Sequence, residues 1–545
     1  MNIFGKSLIG FQDATPGGDS FQAFNPATGE KLENLFYSAN SQDVDRAAQL
    51  ATEAFPFFSQ LKPADKAAFL KRVASEIEAN ADQIVERAQA ESALPVPRLK
   101  SETWRTIGQL RLFADVVEEG SWVMARIDHG DSQRKPLPKP DVRSMWHAIG
   151  PVVVFGASNF PLAFSVAGGD TASAFAAGNP VIVKAHPAHP GTSELVGRAI
   201  RASVRAMGLH EGVFSLLFDS GNTIGAALVQ HPFVKAAGFT GSTVAGRALM
   251  NLAVSRPDPI PFYGEMGSTN PLFILPGALA ARGNEIASQL YGSFTLGAGQ
   301  FCTKPGMIFV PESDTTASFF TEFQAKVSQS RKLTLLTSGI RSAYQRESEK
   351  RKGRAGVAVI AEGEQPSADS SFFARVQAFE TDVPTLLANE DLGAELFGPS
   401  TLLIRYSQRE DILQAARNLG GHLTATIHGT DDDLRDFADL VQILRGKVGR
   451  LVFNGYPTGV EVCHAMIHGG PYPASTDSRT TSVGTQAIYA LVVAGALARI
   501  CASIEPDWSA PLLLVSGVVW AAAFGGFAVL YGPVLCRPRL GATPA

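Results

Sequence analysis

The sequence predicts an α/β protein built around doubly wound parallel sheets, and three observations carry that prediction. Between residues 151 and 239, short apolar runs alternate with helical patterns. Pro151–Phe155, Val181–Lys184, Val213–Leu217 and Val234–Phe239 read as buried strands, with Ser165–Ala177, Thr192–Met207 and Thr223–Gln230 as the helices between them. Such alternation implies right-handed crossovers and a parallel sheet covered on both faces. Residues 270–455 alternate again with less regular lengths, and so predict a second α/β domain. The length of 545 residues is also too great for one ordinary core.

The flanking elements follow in order. Residues 1–35 hold short apolar runs around the turn Asn25–Glu30 and read as a surface strand pair. From about residue 42 to 120, the segments Asp43–Phe55, Lys66–Asn80 and Leu99–Glu119 repeat apolar residues at three- and four-residue spacing, which predicts helices. Residues 133–147 contain three prolines and predict an extended excursion. The last 57 residues change character: Tyr489–Ile504 is apolar apart from Arg499, and Pro511–Leu535 runs 25 residues without a charge. A bilayer needs about 20 apolar residues, so the second stretch has the length of a span.

Composition excludes several classes. With 45% hydrophobic and 18% charged residues the chain reads as globular. A net charge of -4 without a basic block argues against a nucleic-acid partner. The four cysteines, at 302, 463, 501 and 536, lack zinc-ligand spacing, so no metal site is expected. A lone thiol suits a reducing compartment, and the N-terminus has no apolar signal region; both point to the cytoplasm.

Chemistry gathers at the predicted strand ends, where an open sheet presents ligands. Gly156–Pro161 (GASNFP) follows the first strand, and Lys184-Ala185-His186-Pro187 closes the second. A third ends in Gly238–Gly246 (GFTGSTVAG), whose Gly241/Gly246 pair fits either a phosphate loop at a helix start or an ordinary tight turn. Farther on, Gln300-Phe301-Cys302-Thr303 follows the small-residue run Leu296–Gly299. A thiol with such open neighbours can act as a nucleophile, or it can be a small core hydrophobe.

Taken in order, SNFP at 158–161, VIVKAHP at 181–187, FTGSTVAG at 239–246, Glu265-Met266-Gly267, GQFCT at 299–303 and ELFGP at 395–399 resemble the aldehyde dehydrogenase superfamily over residues 1–488. The segments 184–194, 454–473 and 475–485 look like its α-ketoglutaric semialdehyde (2,5-dioxopentanoate) dehydrogenase branch. The resemblance implies a doubly wound cofactor-binding domain from residues 1–132 and 148–262, a bridging and oligomerisation excursion at 133–147, and an α/β catalytic domain at 263–488. It implies a homo-oligomer and an aldehyde substrate. Cys302 would be the nucleophile, Asn159 an oxyanion donor and Glu265 the base that activates water. Ser158, Lys184, His186, Pro187, Gly241, Ser242, Gly246, Glu395 and Phe397 would bind the cofactor. Pro187 stands where NAD-preferring relatives carry an acid, which implies NADP, with NAD as the alternative. Ser268 and Thr269 replace the usual glycine and lysine, and Ala394 replaces an acid. Arg105, Cys463, His464 and Ser478 are open candidates for holding a substrate carboxylate.

The tail departs from this family. Relatives end in a strand that completes the oligomer sheet, whereas residues 489–545 suggest a membrane hairpin through 489–535 and look faintly like NnrS-type haem/copper membrane proteins. Two rival readings follow: a general aliphatic or aromatic aldehyde dehydrogenase, and a membrane-tethered, assembly-defective, inactive relative.

Overall fold

A computed structural model describes residues 2–17, 19–366, 371–459, 461–463 and 509–535. The chain divides into two units, Met1–Ser475 and Thr476–Ala545.

The first unit holds two seven-stranded sheets. In one, the parallel strands lie in the order Phe262–Glu265, Ala236–Thr240, Val152–Phe155, Val181–Lys184, Phe214–Leu217, and Leu8–Ile9 and Gln12–Asp13 extend it antiparallel. From Val152–Phe155 the chain first winds outward through 181 and 214, then returns to add 236 and 262 on the other side. The direction of winding therefore reverses between Val152–Phe155 and Ala236–Thr240, the place where doubly wound sheets open a ligand crevice.

The central strands Val152–Phe155, Val181–Lys184 and Phe214–Leu217 are buried along their whole length because both faces are covered. Val152, Val154, Val181 and Val183 point into a core with Phe58, Phe69 and Phe175, whose rings meet edge to face at 5.2–6.0 Å. Val153, Phe155 and Ile182 point the other way, against Ala47, Ala51 and Leu228. The alternation is the two-residue period of a strand expressed on two helical layers.

The second sheet runs Ala358–Glu362, Gln377–Asp382, Ser400–Tyr406, Met307–Pro311, Leu272–Ile274, His422–His428, Val448–Phe453, parallel except for its first strand. The helices expected near the N-terminus are Ser41–Phe58, Pro63–Ala79 and Val96–Glu119. The helix expected from Ser165 begins only at Gly169. The preceding turn is held open by the buried Glu102, whose carboxylate accepts from Leu162 N and Ala163 N at 2.9 and 3.1 Å. Within the excursion, Arg126–Asp128 pairs antiparallel with Val142–Ser144, and Leu137, Val142, Met145 and Trp146 are exposed.

The membrane hairpin expected of residues 489–535 is not supported. Spanning a bilayer demands an unbroken apolar helix of about 20 residues, and among the described residues no helix is long and apolar enough to cross a membrane. Its first arm, 489–504, lies outside the described residues; its second falls on the helix Ser509–Leu535.

One buried carboxylate ties two helices of the layer on the first sheet together. Glu91, 1% exposed, accepts from Gly191 N, Thr192 N and Thr192 Oγ1, each at 2.8 Å, at the N-terminus of helix Pro190–Ala206, and pairs with Arg87 at 2.9 Å. Negative charge is favoured at that helix end. Glu91→Ala strands two backbone donors and a guanidinium, and is expected to cost about 3 kcal/mol, read as a lower urea midpoint for unfolding.

Candidate active site

The sequence motifs converge because their strands end level. Phe155 lies opposite both Phe239 and Lys184, and Thr240 lies opposite Glu265. The loops leaving these positions, Gly156–Pro161, Ala185–Pro187 and Gly241–Ser242, therefore share one edge of the first sheet, at the reversal point.

Cys302 reaches that edge from the second sheet's side, on the segment between helix Pro276–Thr295 and strand Met307–Pro311. Its thiol donates to the Glu265 carboxylate. Burial pushes the thiol well above its ordinary value, and the charges of Glu265 and Glu395 push it further. The residue as a whole is partly exposed, so a small electrophile has access while the sulfur stays poorly solvated. Asn159, buried, donates from Nδ2 to Gln300 O at 2.9 Å, which sets its amide against the loop of Cys302. An amide nitrogen carries two hydrogens, so the second can serve an oxyanion.

Two residues outside the expected set fix this loop. Asn270 Nδ2 donates to Cys302 O at 2.7 Å and to Lys304 O at 2.9 Å. Lys304, 2% exposed, donates to the carbonyls of Leu396, Gly398 and Ser400 at 2.6, 3.1 and 3.0 Å. Burial lowers Lys304 and raises Glu395, while each one's charge favours the ionised form of the other. Three carbonyl acceptors require three hydrogens, so Lys304 is an ammonium. Sequence signals for both residues existed: Lys304 stands one place beyond the GQFCT motif and Asn270 three places beyond Glu265-Met266-Gly267.

Ser268 and Thr269 take up structural work. Ser268 Oγ donates to Asn270 Oδ1 at 2.9 Å and accepts from Leu423 N at 3.1 Å. Thr269 O accepts from Gly306 N at 2.8 Å, and Thr269 Oγ1 lies 3.4 Å from His422 Nδ1. Glu265 itself is held by its strand register and by Gly241 N donating to its carbonyl at 3.0 Å. The two substitutions thus act on the loop beyond Glu265.

The remaining residues fit a dinucleotide. Lys184 Nζ donates to Asp219 O at 2.8 Å, and burial draws its ammonium down to about 8. His186 accepts from Ala188 N at 3.2 Å and stacks on His189 at 5.6 Å; burial, then His189 and Lys184, hold it neutral, so it offers a donor rather than a charge. Pro187 and Ser158 are half-buried on adjoining loops. Ser242 caps helix Thr243–Val254, whose first turn is exposed, as a pyrophosphate would require. Gly241 packs against the Phe239 ring and Gly246 against Met266, where a Cβ would clash at 2.7 and 2.9 Å. Glu395 accepts from Ser268 N, and its buried Oε1 has no partner among the described residues, which suits a sugar hydroxyl. Phe397 is half-buried between two carbonyls that Lys304 grips. Cys463 is a free thiol, while His464 and Ser478 lie outside the described residues.

Residues 12–486 match the protein family described as Aldehyde dehydrogenase family. The chain belongs to the aldehyde dehydrogenase family. It is 47% identical over 489 residues to alpha-ketoglutaric semialdehyde dehydrogenase 2 of Azospirillum brasilense, covering 90% of this chain and 93% of that one. It is 43% identical over 485 residues to the alpha-ketoglutaric semialdehyde dehydrogenase of Acinetobacter baylyi, covering 89% and 91%. Its fold is that of gamma-glutamyl-gamma-aminobutyraldehyde dehydrogenase from Burkholderia cenocepacia, with TM-score 0.73, 20% identity and 85% and 90% coverage. It also matches an aldehyde dehydrogenase from Pseudomonas syringae solved with NAD+ and octanal, with TM-score 0.71, 20% identity and 84% and 90% coverage. Residues 473–539 separately match NnrS protein. This aldehyde dehydrogenase is accordingly an oxidoreductase acting on aldehydes with NAD(P). The rival reading of an inactive relative gains no support.

The contact between Cys302 and Glu265 has a measurable sign. The carboxylate's charge raises the thiol, so neutralising it in Glu265→Gln lowers the thiol's pKa and enlarges the thiolate fraction at any fixed pH below that value. Alkylation of Cys302 by iodoacetamide at neutral pH is expected to be at least severalfold faster in the variant. In the unaltered enzyme the alkylation rate should climb with pH through 9 without levelling off.

Proposed function

We propose that this enzyme oxidises 2,5-dioxopentanoate to 2-oxoglutarate with NADP, consuming one water and releasing two protons. The observation that carries the chemistry is the hydrogen bond from the Cys302 thiol to Glu265 at the sheet's reversal point. The substrate reading rests on two relatives at 47% and 43% identity named for that semialdehyde.

Cys302 Sγ bonds to the aldehyde carbon while its proton passes to Glu265. The aldehyde oxygen, gaining negative charge, takes hydrogen bonds from Asn159 Nδ2 and the Cys302 backbone N–H. Lys184, Ser242 and Glu395 would hold NADP, which when bound would supply the hydride acceptor for the resulting thiohemiacetal carbon. Glu265, having shed its first proton, then takes one from a water whose oxygen attacks the thioester carbon. The carbon–sulfur bond breaks, and the thiol is regenerated. The NADP preference rests on Pro187, which presents no carboxylate to repel a 2′-phosphate, and on the nearby Lys184 ammonium.

Full-length protein with 2,5-dioxopentanoate and NADP is expected to generate NADPH absorbance. Cys302→Ala should abolish it, and Asn159→Ala should reduce kcat by ~10²–10³-fold. Residual turnover in Cys302→Ala above a few per cent overturns the covalent route. For the cofactor, kcat/KM should be higher with NADP than NAD, and Pro187→Glu should reverse that order. An unaltered enzyme that favours NAD sinks the NADP reading and leaves the aldehyde chemistry standing.

A further inference from the structure

Between Leu392 and Ser400 every second carbonyl is held by one of two buried cations. Lys304 takes those of Leu396, Gly398 and Ser400. Arg351 takes the two before them: its Nη2 donates to Leu392 O and to Ala394 O, each at 3.3 Å. Arg351 sits in the last turn of helix Ser338–Lys352 and is 8% exposed. Its guanidinium lies 5.7 Å over the ring of the fully buried Phe379, which fixes its direction. Glu395 falls where the two grips meet.

Charged neighbours of Arg351 hold the chain just upstream. Lys350 pairs with Asp391 at 3.3 Å, Arg354 pairs with the same carboxylate, and Arg354 Nη1 donates to Asn389 Oδ1 at 2.9 Å. Close packing, the usual support of a protein interior, is incomplete here. Two clefts of about 350 and 200 Å³ share Arg351, Ala394, Glu395 and Leu396 in their walls. Hydrogen bonds to the backbone therefore carry much of the placement of this stretch. The Glu395 carboxylate reaches the loop after Glu265: it accepts from Ser268 N, and a Cβ at Gly267 would stand 2.4 Å from its Oε2. Its buried Oε1 has no partner among the described residues.

We propose that Arg351 is a positioning residue for the cofactor: by fixing the carbonyls on the near side of Glu395, it sets where that carboxylate stands to receive a sugar hydroxyl. This rests on the reading of Glu395 as a cofactor ligand. A hydrogen bond weakens steeply once its angle is lost, so an Oε1 that drifts gives up its partner. Lys304 cannot take over, because its three hydrogens are spent on the carbonyls beyond Glu395. The division of labour also determines which substrate suffers. Lys304 stands two residues from Cys302, so the far half of the segment is tied to the aldehyde's end of the site. The carbonyls that Arg351 holds lie on the other side of Glu395. Loss of Arg351 frees Glu395 while the supports around Cys302 remain.

The test measures NADPH and NADH affinity by fluorescence titration, and kinetics with 2,5-dioxopentanoate, in the full-length enzyme, Arg351→Gln, Arg351→Lys and Glu395→Ala. For the cofactor that binds more tightly, Arg351→Gln should weaken affinity by about fivefold or more, one hydrogen bond's worth. KM for that cofactor should rise in proportion, while KM for the aldehyde stays within about twofold; Arg351→Lys should recover part of the loss, since an ammonium can still donate to these carbonyls. Unchanged cofactor affinity in Arg351→Gln, or equal rises in both KM values, overturns the positioning role. Should Arg351→Gln not fold, Arg351→Lys decides: its cofactor affinity should be measurably below that of the unaltered enzyme, and equal affinity overturns the proposal. Glu395→Ala separates the two readings. If it binds cofactor as well as the unaltered enzyme does, Glu395 is no cofactor ligand and both readings fall. If it binds more weakly while Arg351→Gln does not, only the role of Arg351 falls.

Discussion

The active site depends on a buried ammonium. Lys304 has almost no solvent contact, and its three hydrogens meet the carbonyls of Leu396, Gly398 and Ser400. Burying an unpaired cation costs several kcal/mol, so the arrangement is tolerable only when all three carbonyls are in place. The folding of segment 396–400 is thereby coupled to the position of the nucleophile's loop, two residues away from the sulfur. Asn270 makes the complementary connection, reaching the carbonyls of Cys302 and Lys304 from the loop that follows Glu265. Its φ of 47° is one that asparagine adopts more readily than most residues. Gly299 closes the seam: at φ +68°, a Cβ would stand 2.1 Å from Gly398 O. Glu265, Cys302 and Glu395 sit on three separate segments, a strand end and two loops, that one hydrogen-bonded seam joins.

Much of this was legible in the sequence, for physical reasons. Val152–Phe155, Val181–Lys184 and Phe214–Leu217 are apolar on both faces, so their burial could be read without knowing their partners. Cys302, Glu265 and Asn159 were singled out by the resemblance of their motifs to a known family, and the fold brings the segments that carry them to one edge of the first sheet. What stayed hidden was anything that needs tertiary distance. Glu102 is a charged residue on an amphipathic helix, and nothing local shows that its carboxylate ends a turn 60 residues later. The late start of helix Gly169–Ala177 follows from that same contact. Lys304 reads as a solvent-facing lysine until the strand Ser400–Tyr406 is set beside Met307–Pro311.

Ser268 and Thr269 show how a departure from a family pattern is absorbed. Their hydroxyls bond to Asn270, Leu423 and His422, all within the second sheet's half of the site. Glu265 is held from the other direction, by strand pairing with Ala236–Thr240. Glu265 and the residues after it answer to different neighbours, so the loop can change composition without moving the carboxylate.

The state of the thiol follows from the same separation of roles. Burial and two nearby carboxylates disfavour a thiolate at Cys302, which at first sight opposes nucleophilic attack. Yet the Glu265 carboxylate also accepts the thiol's hydrogen bond, and in the proposed mechanism it accepts the thiol's proton. Moving that proton from sulfur to Glu265 leaves the pair with one negative charge before and after, so no additional charge has to be buried. Only the location of the charge changes, from oxygen to sulfur and then toward the aldehyde oxygen. At that last position Asn159 and the Cys302 N–H can donate to it. A site that kept a free thiolate would attract any electrophile; a site in which charge reaches sulfur only as the substrate receives it reserves reactivity for a carbonyl placed within reach of both donors.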